Sequence, residues 1–369
     1  MNKIGFLKGF DSFIAKPLVP LVHSFVRGYK WSPLNIHNIS GRRDRKLSIL
    51  FIRPGGIGDA VLLLPSINCL KMAIPEASIC VLCENRNAGI FTLTKAIDHL
   101  YLYDKGIDLI KCLSSTYDVV VDTEQWHRLS AIVAALTKAQ VRLGFDTNNR
   151  SLLFSHPIPY RHDEYEADSF ASLIRPLTEQ PLHFDHDRPF IEPSVAIPAD
   201  FSMARGDLVA IFPGASVRER RWGAQNYGEV ASAISAQGYT PVIVGANSDR
   251  ADAAEIVRRC GKCIDLTGKT TLMETAAVLG ASRLLIGADS GLLHVAVGVG
   301  TPTVSIFGAG LEKKWAPRGK AHKVLNARVD CSPCTLFGYT PPCKNKIKCL
   351  TAISVDEVIG AVVSALAVR

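Results

Sequence analysis

Three times in this chain a short, mainly apolar run ends on a glycine-containing turn and passes at once into residues with helical periodicity. Leu47–Ile52 leads into Pro54-Gly55-Gly56-Ile57-Gly58-Asp59, and Leu208–Phe212 leads into Pro213-Gly214-Ala215-Ser216. Arg283–Ile286 leads into Gly287-Ala288-Asp289-Ser290-Gly291. Strand, tight turn and helix in that order are the repeating unit of a parallel sheet covered by helices on both faces. Strands buried on both faces read as continuous apolar runs, as these do, and not as an alternation.

The unit recurs in both halves, so the fold class expected is α/β with two doubly wound, Rossmann-like domains. In the first half, further strands are expected at Ser78–Cys83 and Asp118–Val121, with helices at Asp59–Met72 and Leu129–Lys138. Pro65 falls inside the first helix and should kink it. Pro189, Pro193 and Pro198 mark 189–207 as a linker. The domains expected are thus an arm at 1–46, a first domain at 47–188, a second at 208–350 and a final helix at 351–369. Ser354 and Glu357 form a capping-box pattern at the start of that helix. Two such domains facing each other leave a cleft at the carboxyl ends of their strands, where ligands bind.

A chain of 369 residues accommodates two cores. With 47% hydrophobic and 21% charged residues, it is neither disordered nor a coiled coil. The net charge of +8 is concentrated in residues 1–46, where nine Lys or Arg face Asp11 and Asp44. The folded body is nearly neutral, which argues against nucleic acid as a partner. The longest uncharged stretch, Val295 to Leu311, is interrupted by four glycines and Pro302, so it does not read as a membrane span. Without a signal-peptide pattern, a cytoplasmic chain with mostly reduced cysteines is expected.

In the arm, Ile4, Leu7, Phe10, Phe13 and Ile14 recur at helical spacing between Lys3, Lys8, Asp11 and Lys16, and Pro17 and Pro20 should then break the helix. A basic amphipathic segment of this kind lies on an anionic membrane surface or packs on its own protein; the sequence leaves both open.

Around the first turn, Gly55, Gly56 and Gly58 allow close approach to a ligand at a helix start. The spacing departs from the G-x-G-x-x-G dinucleotide fingerprint, although Glu84 after the second strand can mimic its ribose-binding acid. Asp59 reads, on residues alone, as a helix N-cap. In the second turn, Ser216, Arg218, Arg220 and Arg221 lie at a strand end, where guanidinium groups suit a diphosphate; the alternative is a solvated basic loop over Trp222. In the third, Asp289, Ser290, Gly291 and Leu292 open a helix that carries His294; the amides suit an anion and Asp289 suits sugar hydroxyls, or either residue simply caps the helix. Thr267 and Lys269, in Asp265–Glu274, can hold a base and ribose or form a capping turn.

Taken in order, RPGGIGDAVLLLP, FPGASVRERRW, DLTGKTTLMETAAVL and GADSGLLHVAVGVGTPTVSIFG resemble family 9 of the glycosyltransferases, the ADP-heptose:lipopolysaccharide heptosyltransferases, from about Leu47 to Val363. The resemblance implies a GT-B fold and an inverting transfer from a nucleotide sugar, ADP-heptose, to a lipopolysaccharide core, without a metal. It implies that Asp59 is the general base, that Arg220 stands where the family has a basic residue, often Lys, and that Asp289 to His294 bind the donor. An anionic glycolipid acceptor would meet the first domain, with Trp126, His127 and Arg128 as candidates and Arg150 and His162 behind them. The enzyme would work on the inner face of the inner membrane, with the arm as its contact.

Cys331, Cys334, Cys343 and Cys349 cluster within the loop 331–349, as they do in some members of the family. A structural zinc is one reading and thiols or disulfides are the other, because the spacing is not that of a standard finger. Cys69, Cys80, Cys83, Cys112, Cys260 and Cys263 read as buried thiols. Three rival readings stand beside the main one: another nucleotide sugar or glycan acceptor, an NAD-dependent oxidoreductase, and a non-catalytic glycolipid-binding protein.

Overall fold

The computed structural model describes residues 11–26, 46–178, 184–195 and 207–367. Contacts divide the chain into two compact units, one ending at Phe184 and the other beginning at Asp185. In the first unit, helix α1 (Lys16–Val26) precedes β1 (Ser48–Arg53), α2 (Ile57–Ala73), β2 (Ser78–Cys83), β3 (His99–Leu102) and α3 (Gly106–Ser114). Then come β4 (Val119–Asp122), α4 (Arg128–Leu136), β5 (Val141–Phe145), β6 (His156–Ile158) and α5 (Glu166–Ile174). The second unit carries β7 (Leu208–Phe212), α6 (Ala224–Ala236), β8 (Thr240–Ile243), α7 (Arg250–Cys260), β9 (Ile264–Asp265) and α8 (Leu272–Ala281). It ends with β10 (Leu284–Ala288), α9 (Gly291–Gly298), β11 (Thr303–Phe307), β12 (His322–Asn326) and α10 (Val355–Leu366).

Each unit holds a six-stranded sheet, in the orders β3-β2-β1-β4-β5-β6 and β12-β11-β10-β7-β8-β9. Every pairing is parallel. In both sheets the strand order reverses beside the unit's first strand. Ile49 of β1 lies between Ile79 and Val119, and Ile211 of β7 lies between Ile243 and Ile286. At such a switch point the crossover helices leave to opposite faces and the loops at the strand ends part, which opens a place for a ligand.

The expected α/β class is what the chain adopts, and the apolar runs are its central strands because only these are covered on both faces. The strands missing from the sequence reading are mostly edge strands: β3, β6, β9 and β12 are short or half-exposed and do not read as apolar runs. Helix α2 continues through Pro65.

The arm departs from expectation in one respect. Pro17 and Pro20 do not break the helix; α1 runs through both, after a π-helical turn at Asp11–Ala15. Pro17 lies in the first turn, where a missing N–H costs little, and tertiary contacts hold the rest. Ala15 and Val19 are buried in a core shared with Leu50, Val120, Ala134 and Phe154, and His23 Nδ1 meets the Leu152 carbonyl at 2.8 Å. Residues 11–26 thus pack on the body, while Ile4, Leu7 and Phe10 lie outside the described residues. Of the expected linker, Phe190 and Ile191 donate their N–H groups to the Gly298 carbonyl of the second unit, and Ile191 is buried; residues 196–206 lie outside the described residues. Helix α10 joins the second core, where Val358, Val362 and Leu366 meet Ile234, Ile286 and Val304. No helix among the described residues is long and apolar enough to cross a membrane.

Candidate active site

The three glycine turns lie at carboxyl ends of strands, two of them at the switch point of the second sheet. There the β7 loop carries Ser216 and a 3-10 turn, Arg218–Arg220, beside the β10 loop that carries Asp289 and Ser290. Arg220 Nη1 lies 3.1 Å from Asp289 Oδ2, and its Nη2 donates to Thr335 Oγ1 at 3.4 Å. Asp289 is buried and does not cap α9. Ser290 occupies the N-cap position in extended backbone and also makes no side-chain cap bond. Its hydroxyl, Arg220 Nε and Thr267 Oγ1 are buried with no protein partner among the described residues. Buried polar atoms without partners are costly; Arg220 Nε and the Ser290 hydroxyl, from the neighbouring β7 and β10 loops, mark a place that suits a polar ligand, whereas Thr267 follows β9 at the far edge of the sheet. The helix N-terminus adds a positive end of the macrodipole, with Gly291 and Leu292 in its first turn.

Two members of this set were invisible in the motifs. Gly310, after β11, lies so close to Asp289 that a Cβ there would collide with its carboxylate. Thr335 comes from the cysteine loop. Both are brought in by strand order rather than by sequence spacing.

Not every expected donor residue faces this site. Arg221 turns back: it donates to the Ala215 carbonyl through Nε and Nη2 and pairs with Asp252 at 3.0 Å and Asp249 at 3.6 Å. It fastens the loop, tying the residue after the 3-10 turn to Ala215 and to the carboxylates of Asp249 and Asp252. Lys269 likewise folds onto its own loop, donating to the Asp265 carbonyl at 2.7 Å. Thr267 is fully buried beside Gly268, whose φ of +68° belongs to glycine, and Arg218 is exposed. His294 is buried within α9.

In the first unit, Gly55 (φ +107°) makes the turn after β1, and Gly56 is the N-cap of α2. Asp59 is therefore not the cap; it sits in the first turn of α2, and its Oδ2 lies 3.3 Å from Arg53 Nη2. Gly58 is the helical residue before it. Arg53, at the end of β1, is almost wholly buried. Its Nη1 donates to the Thr123 carbonyl at 2.8 Å, its Nη2 lies 3.8 Å from Glu124, and its guanidinium stands 5.8 Å from the Phe170 ring centre. Glu124 Oε1 in turn accepts the N–H groups of Gln125, Trp126 and His127 at 3.1, 3.1 and 3.4 Å. Burial pushes the Glu124 carboxyl up, but Arg53, then His127 and Arg150, outweigh it and hold the group below its ordinary range. Gln125 donates to Glu166, which also accepts from Tyr160.

Trp126 and His127 stay partly exposed at this loop. Arg128 does not: its side chain is buried, with Nε on Asn149 at 2.6 Å and Nη1 on Asp11 at 3.2 Å. Arg150 is fully buried against Asp122 at 2.5 Å, so it belongs to the core; His162 is exposed. The basic type was legible in both arginines, but the carboxylates that claim them lie 28 or more residues away.

Cys331, Cys334, Cys343 and Cys349 line one shallow pocket together with Glu219 and Lys348. Cys349 is buried and the other three are exposed. Among the described residues no group of three or more His, Cys, Asp or Glu side chains is set to hold a metal ion, so the zinc expectation finds no ligand set. The loop brings the thiols to a common wall, while its backbone bonds serve other ends: Cys343 N–H donates to Glu219, and Cys334 and Thr335 donate to the Ala309 carbonyl. Cys260 and Cys263 are not free thiols but a disulfide pair at the end of α7. Cys80, Cys83 and Cys112 are buried thiols; Cys69 is half-buried.

Two parallel doubly wound units with a polar-lined switch point define the chain as an α/β protein of GT-B type, the fold of many nucleotide-sugar-dependent enzymes. The family model of glycosyltransferase family 9 (heptosyltransferase) matches residues 107–344, and the chain belongs to that family. It is a glycosyltransferase, which sets aside the oxidoreductase and the non-catalytic readings. Lipopolysaccharide heptosyltransferase 3 of Escherichia coli is 29% identical over 292 residues, 70% of this chain and 83% of that one. Among solved structures, the E. coli ADP-heptose LPS heptosyltransferase II superposes with a TM-score of 0.68 at 20% identity, over 87% of this chain and 99% of that one. The E. coli heptosyltransferase WaaC, solved with ADP, superposes with a TM-score of 0.70 at 15% identity, over 86% of this chain and all of that one.

Proposed function

We propose that this enzyme transfers a heptose from ADP-heptose to the core of a lipopolysaccharide acceptor, with inversion and without a metal. The observation that carries the reading is the Arg220–Asp289–Ser290 set at the switch point of a family 9 chain. Arg220 and the α9 N-terminus supply positive potential where a departing diphosphate gains charge, and Asp289 accepts hydrogen bonds from hydroxyls of the donor. On binding, the diphosphate takes Arg220 and leaves Asp289 to the sugar or ribose. Asp59 takes the proton of the attacking hydroxyl; a carboxylate is a weak base for an alcohol, so the proton moves late and together with bond formation. Relatives named for ADP-heptose, and a neighbour solved with ADP, support the choice of nucleotide.

The test is release of ADP by the purified full chain with ADP-heptose and a heptose-deficient lipopolysaccharide. Asp59→Asn should lower kcat by about 10²- to 10⁴-fold with nucleotide affinity nearly intact. Full activity in Asp59→Asn would remove the base assignment, and turnover with UDP- or GDP-sugars alone would remove ADP-heptose.

The acceptor is a membrane glycolipid, so we place the enzyme on the cytoplasmic face of the inner membrane. The π-helical turn and docked α1 turn Phe13, Leu21 and Phe25 outward, two of them more than 80% exposed, and Lys16 is exposed beside them. An apolar row with basic neighbours suits an anionic lipid interface. Phe13→Ser with Phe25→Ser should abolish flotation with phosphatidylglycerol vesicles; equal flotation would show that this face is not the contact.

A further inference from the structure

We infer that Arg53 is a positioning residue for the transfer: one buried guanidinium, shared between Asp59 and Glu124, sets the base carboxylate against the loop Glu124–His127. The inference rests on the reading of Asp59 as base.

Arg53 ends β1 at the point where the first sheet reverses its strand order, and Glu124 follows β4, the strand beside it. The distances, 3.3 Å to Asp59 and 3.8 Å to Glu124, describe a cation divided between two carboxylates rather than a bidentate pair with either. The remaining bonds immobilise it. Nη1 holds the Thr123 carbonyl, Asn87 Nδ2 holds the Arg53 carbonyl at 3.1 Å, and Phe170 covers one face. Glu124 passes the constraint on through the three loop N–H groups it accepts. Burial alone would lower the Arg53 pKa, but Asp59, Glu124, Glu166 and Asp122 outweigh it, so the group stays charged. A buried cation amid carboxylates is expensive to build, and removing it alone leaves its carboxylate partners uncompensated, so Arg53 is costly to keep and costly to lose. Its place beside the candidate base gives it a use.

Arg53 from β1 and Tyr160 after β6 act on Asp59; Glu124 after β4 shares Arg53 with it, Arg86 after β2 reaches Gly55 in the same turn, and Glu166 of α5 accepts from Tyr160. Because Asp59 and Glu124 share one cation, the two should respond in opposite senses. Arg53→Met removes the cation, and the acid limb of kcat/KM should move up by about one pH unit, with kcat down about 10- to 100-fold and donor KM within about 2-fold. Glu124→Gln removes the competitor and one negative charge, and the acid limb should move down. Arg53→Lys should recover part of kcat, since it keeps charge without the fork.

Coincident acid limbs in all four proteins would overturn the inference, because a merely structural arginine changes the folded fraction and not the pH at which activity appears. If Arg53→Met does not fold, Glu124→Gln alone decides by the same limb. Carbon-13 titration of the Asp59 carboxyl in these proteins reads the same opposed shifts without turnover. A chain silent toward every nucleotide sugar would then sink the functional reading, while the Arg53 assignment stands or falls on the titration curves.

Discussion

The buried imidazole of His322 ties the stability of the second unit to pH. Burial brings His322 down to about 4, against the upward pull of Asp187, and its Nδ1 lies 3.1 Å from Thr303 Oγ1. An unfolded chain takes up that proton near pH 6.5, whereas the native state resists it. The folded value is the lower one, so the contribution to stability is complete above about pH 6.5 and is lost as pH falls toward 4. His322→Gln should therefore flatten the decline of the unfolding midpoint across that window. Parallel declines in the two proteins would mean that other groups carry it. The same scale shows what a sequence hides. Asp59 reads on its residues as a helix cap and takes the part of a base only through the family resemblance, and Arg220 reads as one of three arginines that suit a diphosphate or a solvated loop. Arg221, one position from Arg220, was not distinguishable from it, and only its contacts with Asp249 and Asp252 show that it braces the loop.

Elements here are often completed by groups from elsewhere in the chain. Helix α4 has His127 at its N-cap with no side-chain cap of its own. Asp11 supplies the cap instead: Oδ1 accepts the N–H of Arg128 at 2.7 Å and of Leu129 at 3.1 Å, and Oδ2 faces the Arg128 guanidinium. A carboxylate at that end also meets the positive pole of the helix. Asp11→Ala should cost about 1–2 kcal/mol in denaturant unfolding and expose 11–26 to limited proteolysis. Unchanged cleavage would assign the docking of α1 to Ala15 and Val19 alone. Such a cap lies 117 residues from its helix, and no local pattern announces it. By contrast, Thr271 and Glu274 form a local capping box before α8, and Ser354 caps α10 as its spacing predicts. Local caps are readable because donor and acceptor are three residues apart; distant ones wait for the fold.

At the scale of the whole molecule, two cores are built separately, each around its own parallel sheet. A ligand held by one unit stabilises that unit, by about 2.7 kcal/mol at a hundredfold excess over its Kd. Saturating ADP should thus slow hydrogen exchange at 213–221, 265–269 and 289–293 of the second unit. Protection confined to residues 1–184 would place the nucleotide on the first unit and reverse the assignment of donor site and base. What the sequence alone determined is the part written in local periodicity: continuous apolar strands, glycine turns at their ends, and helices that begin within those turns. These follow from backbone sterics and from burial on two faces, which act over a few residues. What only the tertiary structure decided is which charges are used where. Arg53 on Glu124, Arg128 on Asp11, Arg150 on Asp122 and Gly310 beneath Asp289 are all pairings across tens of residues. Desolvation forces every buried charge to find its partner in space, and the chain's order along the sequence does not say which partner that will be.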